Sequence, residues 1–101
     1  MKFFEFNDYE YYALILAEDE EHAKLGYTEV VSDIEEEEKR LHPNVISIEE
    51  ALEKYIKAYI EDCETEKEKT ESFYRQMSSF EKYVSKGTEP YSIFLIDGTL
   101  L

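Results

Sequence analysis

The sequence predicts an α+β fold in a single domain covering residues 1–101. Two segments, residues 9–17 and 91–96, alternate side chains so that both faces of each strand are apolar, as in a sheet covered on both sides. Between them, apolar residues recur at helical spacing behind clear capping signals. The predicted order is therefore β-β-α-α-α-β, with three helices beside a small antiparallel sheet.

The strands are predicted near residues 2–6, 9–17 and 91–96. Asn7-Asp8 has turn chemistry and separates the first two strands. After the third strand, Asp97-Gly98 is a hairpin signal, which leaves residues 99–101 for a short returning strand.

The first helix is predicted near residues 19–34, with Asp19 as its N-cap. Gly26 lies inside it and costs about 1 kcal/mol relative to Ala, so a break is possible there. Residues 35–38, all Glu, continue as a helix end or a loop, because a run of acids is unfavourable at the negative end of the helix dipole.

The second helix is predicted near residues 48–63, where Ser47 and Glu50 form a capping box. Residues 64–72 carry no apolar side chain and fit either a turn between two helices or part of one long helix. A turn near Cys63 is favoured, with Thr65 starting a third helix near residues 66–86 that ends at Gly87.

Two apolar sheet faces leave two arrangements open. The helices are either split between the faces, which is favoured, or one face packs against a second subunit or a partner. The face expected to be available for a homodimer carries five side chains: Tyr12, Leu14, Leu16, Phe94 and Ile96.

Charge restricts the partners. The chain has 11 Lys and Arg against 25 Asp and Glu, a net charge of −14. Such a chain is expected not to bind nucleic acid or an anionic membrane directly, because like charges repel. The excess is concentrated in the first half, where residues 1–50 hold 4 basic and 15 acidic residues.

Motifs for catalysis, metal binding or cofactor binding are not visible in the sequence. His22 and His42 have no second His or Cys at metal-ligand spacing, and Cys63 ends an apolar stripe, as expected for a core thiol. Three dispersed glycines form no phosphate-binding loop. Paired carboxylates leave acid–base catalysis open as a minor alternative. The first residues do not resemble a signal peptide, and no apolar run approaches membrane-spanning length, so a cytoplasmic protein is expected.

The opening from Phe3-Phe4-Glu5-Phe6 to Ile34, with Tyr11-Tyr12-Ala13-Leu14-Ile15 inside it, resembles the openings of small phage and prophage proteins. The ending Phe94-Leu95-Ile96-Asp97-Gly98 is similar in type, so the resemblance covers about half the chain. Phage proteins of this size and acidity are similar in character to anti-defence inhibitors, including anti-CRISPR proteins. The resemblance implies an inhibitor that occupies the nucleic-acid site of a nuclease, and it carries over no individual residue.

The acidic field leads to the main functional hypothesis: a non-enzymatic protein that docks on a basic nucleic-acid-binding protein, such as a CRISPR effector nuclease. The alternative is a small homodimer or assembly protein that uses the apolar sheet face. A solvated, merely solubilising face also fits the Glu run. The predicted partner-binding residues are all acidic: Glu20, Glu21, Glu29, Asp33, Glu35, Glu36, Glu37 and Glu38.

Overall fold

A computed structural model describes residues 1–60, 62–87 and 90–96. Its elements, in chain order, are β1 (Lys2–Glu5), β2 (Ala13–Ala17), α1 (Glu20–Gly26) continuing into a π-helical turn (Tyr27–Val31), a 3-10 helix (Glu36–Arg40), β3 (Asn44–Ile46), α2 (Ile48–Lys57), α3 (Glu66–Ser85) and β4 (Tyr91–Ile96). The predicted Asp97-Gly98 turn and the returning strand at 99–101 lie outside the described residues.

The four strands form one antiparallel sheet in the order β3-β1-β2-β4. The α+β class and the three α-helices are confirmed. The sequence missed β3, which inserts a strand between the first two α-helices and pairs with the free side of β1.

One face of the sheet packs against α2 and α3. Phe3 of β1 stacks on Phe73 of α3 at 5.4 Å between ring centroids and meets Phe94 of β4 edge-on at 5.0 Å. Tyr55 of α2 completes this aromatic cluster. The two helices run antiparallel, since the Tyr55 hydroxyl lies 3.0 Å from Ser72 Oγ while Lys69, nearer the start of α3, reaches the end of α2.

The opposite face is covered by α1, the π-helical turn and the residues that follow it. Here Phe6, Tyr9 and Tyr27 form a second aromatic cluster, with ring centroids 4.8–5.3 Å apart. The helices are therefore split between the two faces of the sheet, as the favoured interpretation predicted.

This arrangement covers the apolar face that the sequence offered for a homodimer. Leu14, Leu16 and Phe94 are buried beneath α2 and α3 within the chain. Ile96 was assigned to the same face, but a register shift opposite Leu14 and Ile15 turns it to the α1 side. Alternation on β4 failed to predict its facing because the strand carries this irregularity.

The strand predicted over residues 9–17 begins only at Ala13. The Tyr27 hydroxyl donates to the Tyr11 carbonyl at 2.8 Å and accepts from the Tyr11 N–H at 3.2 Å. A side chain thus replaces a neighbouring strand as the backbone partner of Tyr11, and this segment stays a loop.

The first two predicted helices are also shorter than expected. Gly26 lies against the Tyr91 ring, the α-helix ends there, and a π-helical turn closes with the Ser32 N–H donating to the Tyr27 carbonyl at 3.1 Å. Helix α2, predicted to reach residue 63, ends at Lys57 because Lys69 Nζ donates to the backbone oxygens of Ile56 and Ala58.

The local capping signals are confirmed. Asp19, Ser47 and Thr65 each accept a hydrogen bond from the backbone N–H three residues ahead, at the starts of α1, α2 and α3. The favoured turn before α3 is confirmed, and Gly87 follows that helix with a φ of 70°, a left-handed conformation that glycine adopts readily.

One buried carboxylate ties α2 to the sheet. Glu5 of β1 has a side chain only 7% exposed, and its Oε2 lies 2.7 Å from Lys54 Nζ. The same oxygen accepts from the Tyr12 hydroxyl at 2.8 Å. Burial, followed by this hydrogen bond, raises the pKa of Tyr12.

Candidate protein-binding face

The candidate site is the layer formed by residues 18–40, which covers one face of the sheet. All eight sequence-predicted residues lie in this layer. Six are exposed, one is partly exposed and one is buried. We describe them from the start of α1 to the 3-10 helix.

At the start of α1, Glu20 is engaged within the chain. Its Oε2 lies 2.7 Å from His42 Nδ1 and 3.3 Å from Lys24 Nζ. The hydrogen bond with His42 is the largest cause that lowers the pKa of the Glu20 carboxyl. Glu20 therefore joins α1 to the segment before β3, while the neighbouring Glu21 side chain is exposed to solvent.

The π-helical turn brings exposed apolar side chains among the acids. Leu25 on α1 is 43% exposed and Val30 on the turn is 50% exposed, and Glu29 beside Val30 is also exposed. Glu29 accepts a hydrogen bond from the Tyr91 hydroxyl at 3.3 Å. Helical periodicity predicted Glu29, but it did not predict that Leu25 and Val30 would be left uncovered.

After the turn, Asp33, Glu35, Glu36 and Glu37 are exposed, as predicted. Glu36 pairs with Lys39 at 3.0 Å in an exposed ion pair, which contributes little stability.

Glu38 was predicted to be part of the exposed acidic surface, and that prediction is wrong. Its side chain is buried, with Oε1 accepting the Glu35 N–H at 3.0 Å and Oε2 accepting the Glu10 N–H. It fastens the 3-10 helix to the loop before β2. The Glu35–Glu38 spacing is that of a capping pair, a signal that the run of identical residues concealed.

The tyrosine cluster beneath this layer is structural. The Tyr9 hydroxyl donates to the Leu41 carbonyl at 2.9 Å. Burial, reinforced by the charges of Glu20 and Glu38, raises the pKa of Tyr9 to about 12. Burial also raises the pKa of Tyr27.

The two layers of the molecule differ sharply in charge. Residues 18–40 contain ten acidic and three basic residues, a net of −7. Helices α2 and α3 on the other side contain seven acidic and six basic residues, a net of −1. The fold therefore places a strong negative field on one side of the sheet.

The structure gives no metal centre to this layer: within residues 1–60, 62–87 and 90–96, no three His, Cys, Asp or Glu side chains are grouped to hold an ion. His22 lies 2.7 Å from its own N-cap Asp19, and Cys63 is a partly buried thiol whose nearest acceptor is the Glu68 carbonyl at 3.8 Å. Across the same described part of the chain, no helix combines the length and hydropathy needed to cross a membrane.

Comparison with known proteins gives one match. The family model of the YosH C-terminal domain matches residues 1–87. No curated protein and no solved structure matches the chain significantly. The matched span contains β1 to β3, all three α-helices and the whole acidic layer. The chain therefore belongs to the YosH C-terminal domain family.

Proposed function

We propose that this protein is a non-enzymatic binding domain whose acidic layer docks on a basic nucleic-acid-binding protein and occupies the surface that would hold phosphates. The observation that carries the proposal is the segregation of charge, −7 in residues 18–40 against −1 in α2 and α3. Solubility alone needs less charge and no particular side for it.

The acidic layer also has the mixed composition of a protein interface. Leu25 and Val30 supply exposed apolar area, and Glu21 and Glu29 lie beside them in the helical segment. Interfaces commonly combine an apolar centre with a polar rim, where the charges favour fast and selective association.

The working contact surface is the predicted set without its inward-facing members. Glu38 is buried, and Glu20 is held by His42 and Lys24, so the free carboxylates are fewer than the sequence suggested. The proposed contact residues are the six exposed acids: Glu21, Glu29, Asp33, Glu35, Glu36 and Glu37.

Such a partner would be met in the cytoplasm, where nucleic-acid-binding enzymes are abundant. A CRISPR effector nuclease is the concrete candidate to try first, following the resemblance in type noted from the sequence. Occupation of its nucleic-acid groove would need no catalysis by this chain. The complex should therefore form in competition with DNA or RNA and weaken as salt rises.

The test is capture of partners from a bacterial lysate by the tagged protein at low and at high salt, with mass spectrometry of the retained proteins. Two matched triple variants accompany the parent. Glu21, Asp33 and Glu37 become Lys in the first, whereas Glu64, Glu71 and Glu81, exposed acids outside the acidic layer, become Lys in the second. Both change the net charge equally.

We expect the parent and the second variant to retain a basic nucleic-acid-binding protein at low salt and to lose it at high salt. The first variant should not retain it. Equal retention by both variants, or retention that survives high salt, contradicts docking through the acidic layer.

A further inference from the structure

The outer side of α2 carries apolar side chains that the core leaves partly uncovered. Ala51 and Tyr55 of this helix are buried against the sheet. Ile48, Leu52 and Ile56 follow one another at four-residue spacing, which places them along one side of the helix. Ile48 is 45% exposed, and the other two are partly exposed.

This row borders a groove with a cavity volume of about 350 Å³. Leu52 and Ile56 provide the apolar lining. The remaining lining residues are charged and come from α2 and from the first turn of α3: Glu49, Glu53, Lys57 and Glu66.

The groove rim is negative. Lys57 is already paired with Glu53 at 2.9 Å between Nζ and Oε1. Glu49 and Glu66 make no ion pair with any of residues 1–60, 62–87 or 90–96. Two carboxylates beside an apolar floor thus remain available to a cation from outside.

The walls of the groove are held in place by bonds between the two helices. Lys69 Nζ donates to the Ile56 carbonyl at 2.9 Å and to the Ala58 carbonyl at 2.7 Å. The Tyr55 hydroxyl and Ser72 Oγ, 3.0 Å apart, add a second tie. A groove fixed in this way loses little conformational freedom when it is filled.

We infer that this groove docks a short, basic, amphipathic helix of a partner protein. An apolar row along a helix is matched by apolar side chains at i, i+3 and i+4 of a second helix. Lysine or arginine beside that stripe would meet Glu49 and Glu66. A second copy of this acidic chain and an anionic membrane are both disfavoured by charge repulsion. The groove lies across the sheet from the acidic layer, so this inference stands apart from the proposed function.

The experiment uses a fluorescent model peptide of about four helical turns with leucines along one side and lysines elsewhere. Its binding to the full chain is followed by fluorescence anisotropy at low salt, and amide chemical shifts map the contact. A shuffled peptide has the same composition but no apolar side. The groove variants are Ile56→Gln and the pair Glu49→Gln with Glu66→Gln. The matched control is Glu21→Gln with Glu36→Gln in the acidic layer, and circular dichroism checks the fold of each.

We expect Ile56→Gln to weaken binding about tenfold, as for a residue at the centre of an interface. The paired groove variant should weaken it several-fold, and the acidic-layer control should leave it nearly unchanged. Shift changes in the parent should fall on α2 and the first turn of α3. Absence of binding, equal binding of the shuffled peptide, an equal loss in the control, or shifts confined to α1 would each overturn the inference, as would dimerisation of the free chain through α2.

Discussion

Single buried polar groups determine how the acidic segment is fastened to the fold. The Glu38 carboxylate accepts two backbone N–H groups, from Glu35 and Glu10, which belong to different segments. Its neighbour Glu37 is exposed. Two residues with the same side chain and adjacent numbers thus have opposite roles, one in folding and one at the surface.

Glu38→Ala should therefore lower the free energy of unfolding by about 1–3 kcal/mol, because two backbone donors lose a charged acceptor in a buried site. Glu37→Ala is the matched control and should change it by less than about 0.5 kcal/mol. Urea denaturation of both variants measures the difference. Equal midpoints would show that Glu38 is not the buried fastener described above.

Tyr9 gives the fold an alkaline limit. Its pKa is about 12 in the folded chain against an ordinary value of 10.0. Between these values the unfolded chain has lost the proton and the folded chain has kept it, so stability is complete below about pH 10 and falls as pH rises toward 12.

Urea midpoints at pH 9 and pH 11 should show this loss in the parent. Tyr9→Phe should reduce the difference between the two midpoints, although Tyr12 and Tyr27, whose pKa values are also raised, leave a remainder. A parent midpoint that does not change with pH would contradict this account.

At the scale of elements, Gly26 shows how packing overrides helix propensity. A Cβ at this position would lie 2.7 Å from Cγ and Cδ1 of the Tyr91 ring. Glycine is therefore required by the close approach of α1 to β4, although alanine is the better helix former by about 1 kcal/mol.

Gly26→Ala should destabilise the fold by about 1–3 kcal/mol through overpacking. In a Tyr91→Ala background the same substitution should become neutral or stabilising, since the ring is gone and the propensity gain remains. Thermal denaturation of the four chains of this double-mutant cycle measures the coupling. Additive effects would show that Tyr91 is not the reason for Gly26.

Elements with local signals could be predicted from the sequence, and elements that depend on distant partners could not. The capping boxes at Ser47 and Thr65 identified the starts of α2 and α3. The residues from Tyr9 to Tyr12 alternate like a strand, but the Tyr27 hydroxyl binds the Tyr11 backbone, and this contact is not visible in local sequence. Strand β3 has three residues after a proline, too few to show any period.

The candidate site was predicted in the same partial way. Composition located the acids correctly, because charge can be counted along the chain. Burial of Glu38, internal pairing of Glu20 with His42 and the exposure of Leu25 and Val30 all depend on tertiary contacts or on the π-helical turn. Sequence therefore predicted the field and not the surface that carries it.

At the scale of the whole molecule, the sheet separates two layers with different charge. The α1 side carries −7 in residues 18–40, and the α2–α3 side carries −1 with a small apolar groove. An even distribution would serve solubility equally well. The uneven one gives the molecule a direction, which matters for steering toward a basic surface.

The most direct measurement is the association rate of the captured partner, followed against ionic strength for the parent and the two triple-Lys variants. The account predicts that reversal of Glu21, Asp33 and Glu37 slows association about tenfold or more at low salt and flattens its salt dependence. Reversal of Glu64, Glu71 and Glu81 should leave the rate near that of the parent. Equal slowing by both variants would mean that net charge alone matters, which contradicts a directed acidic face.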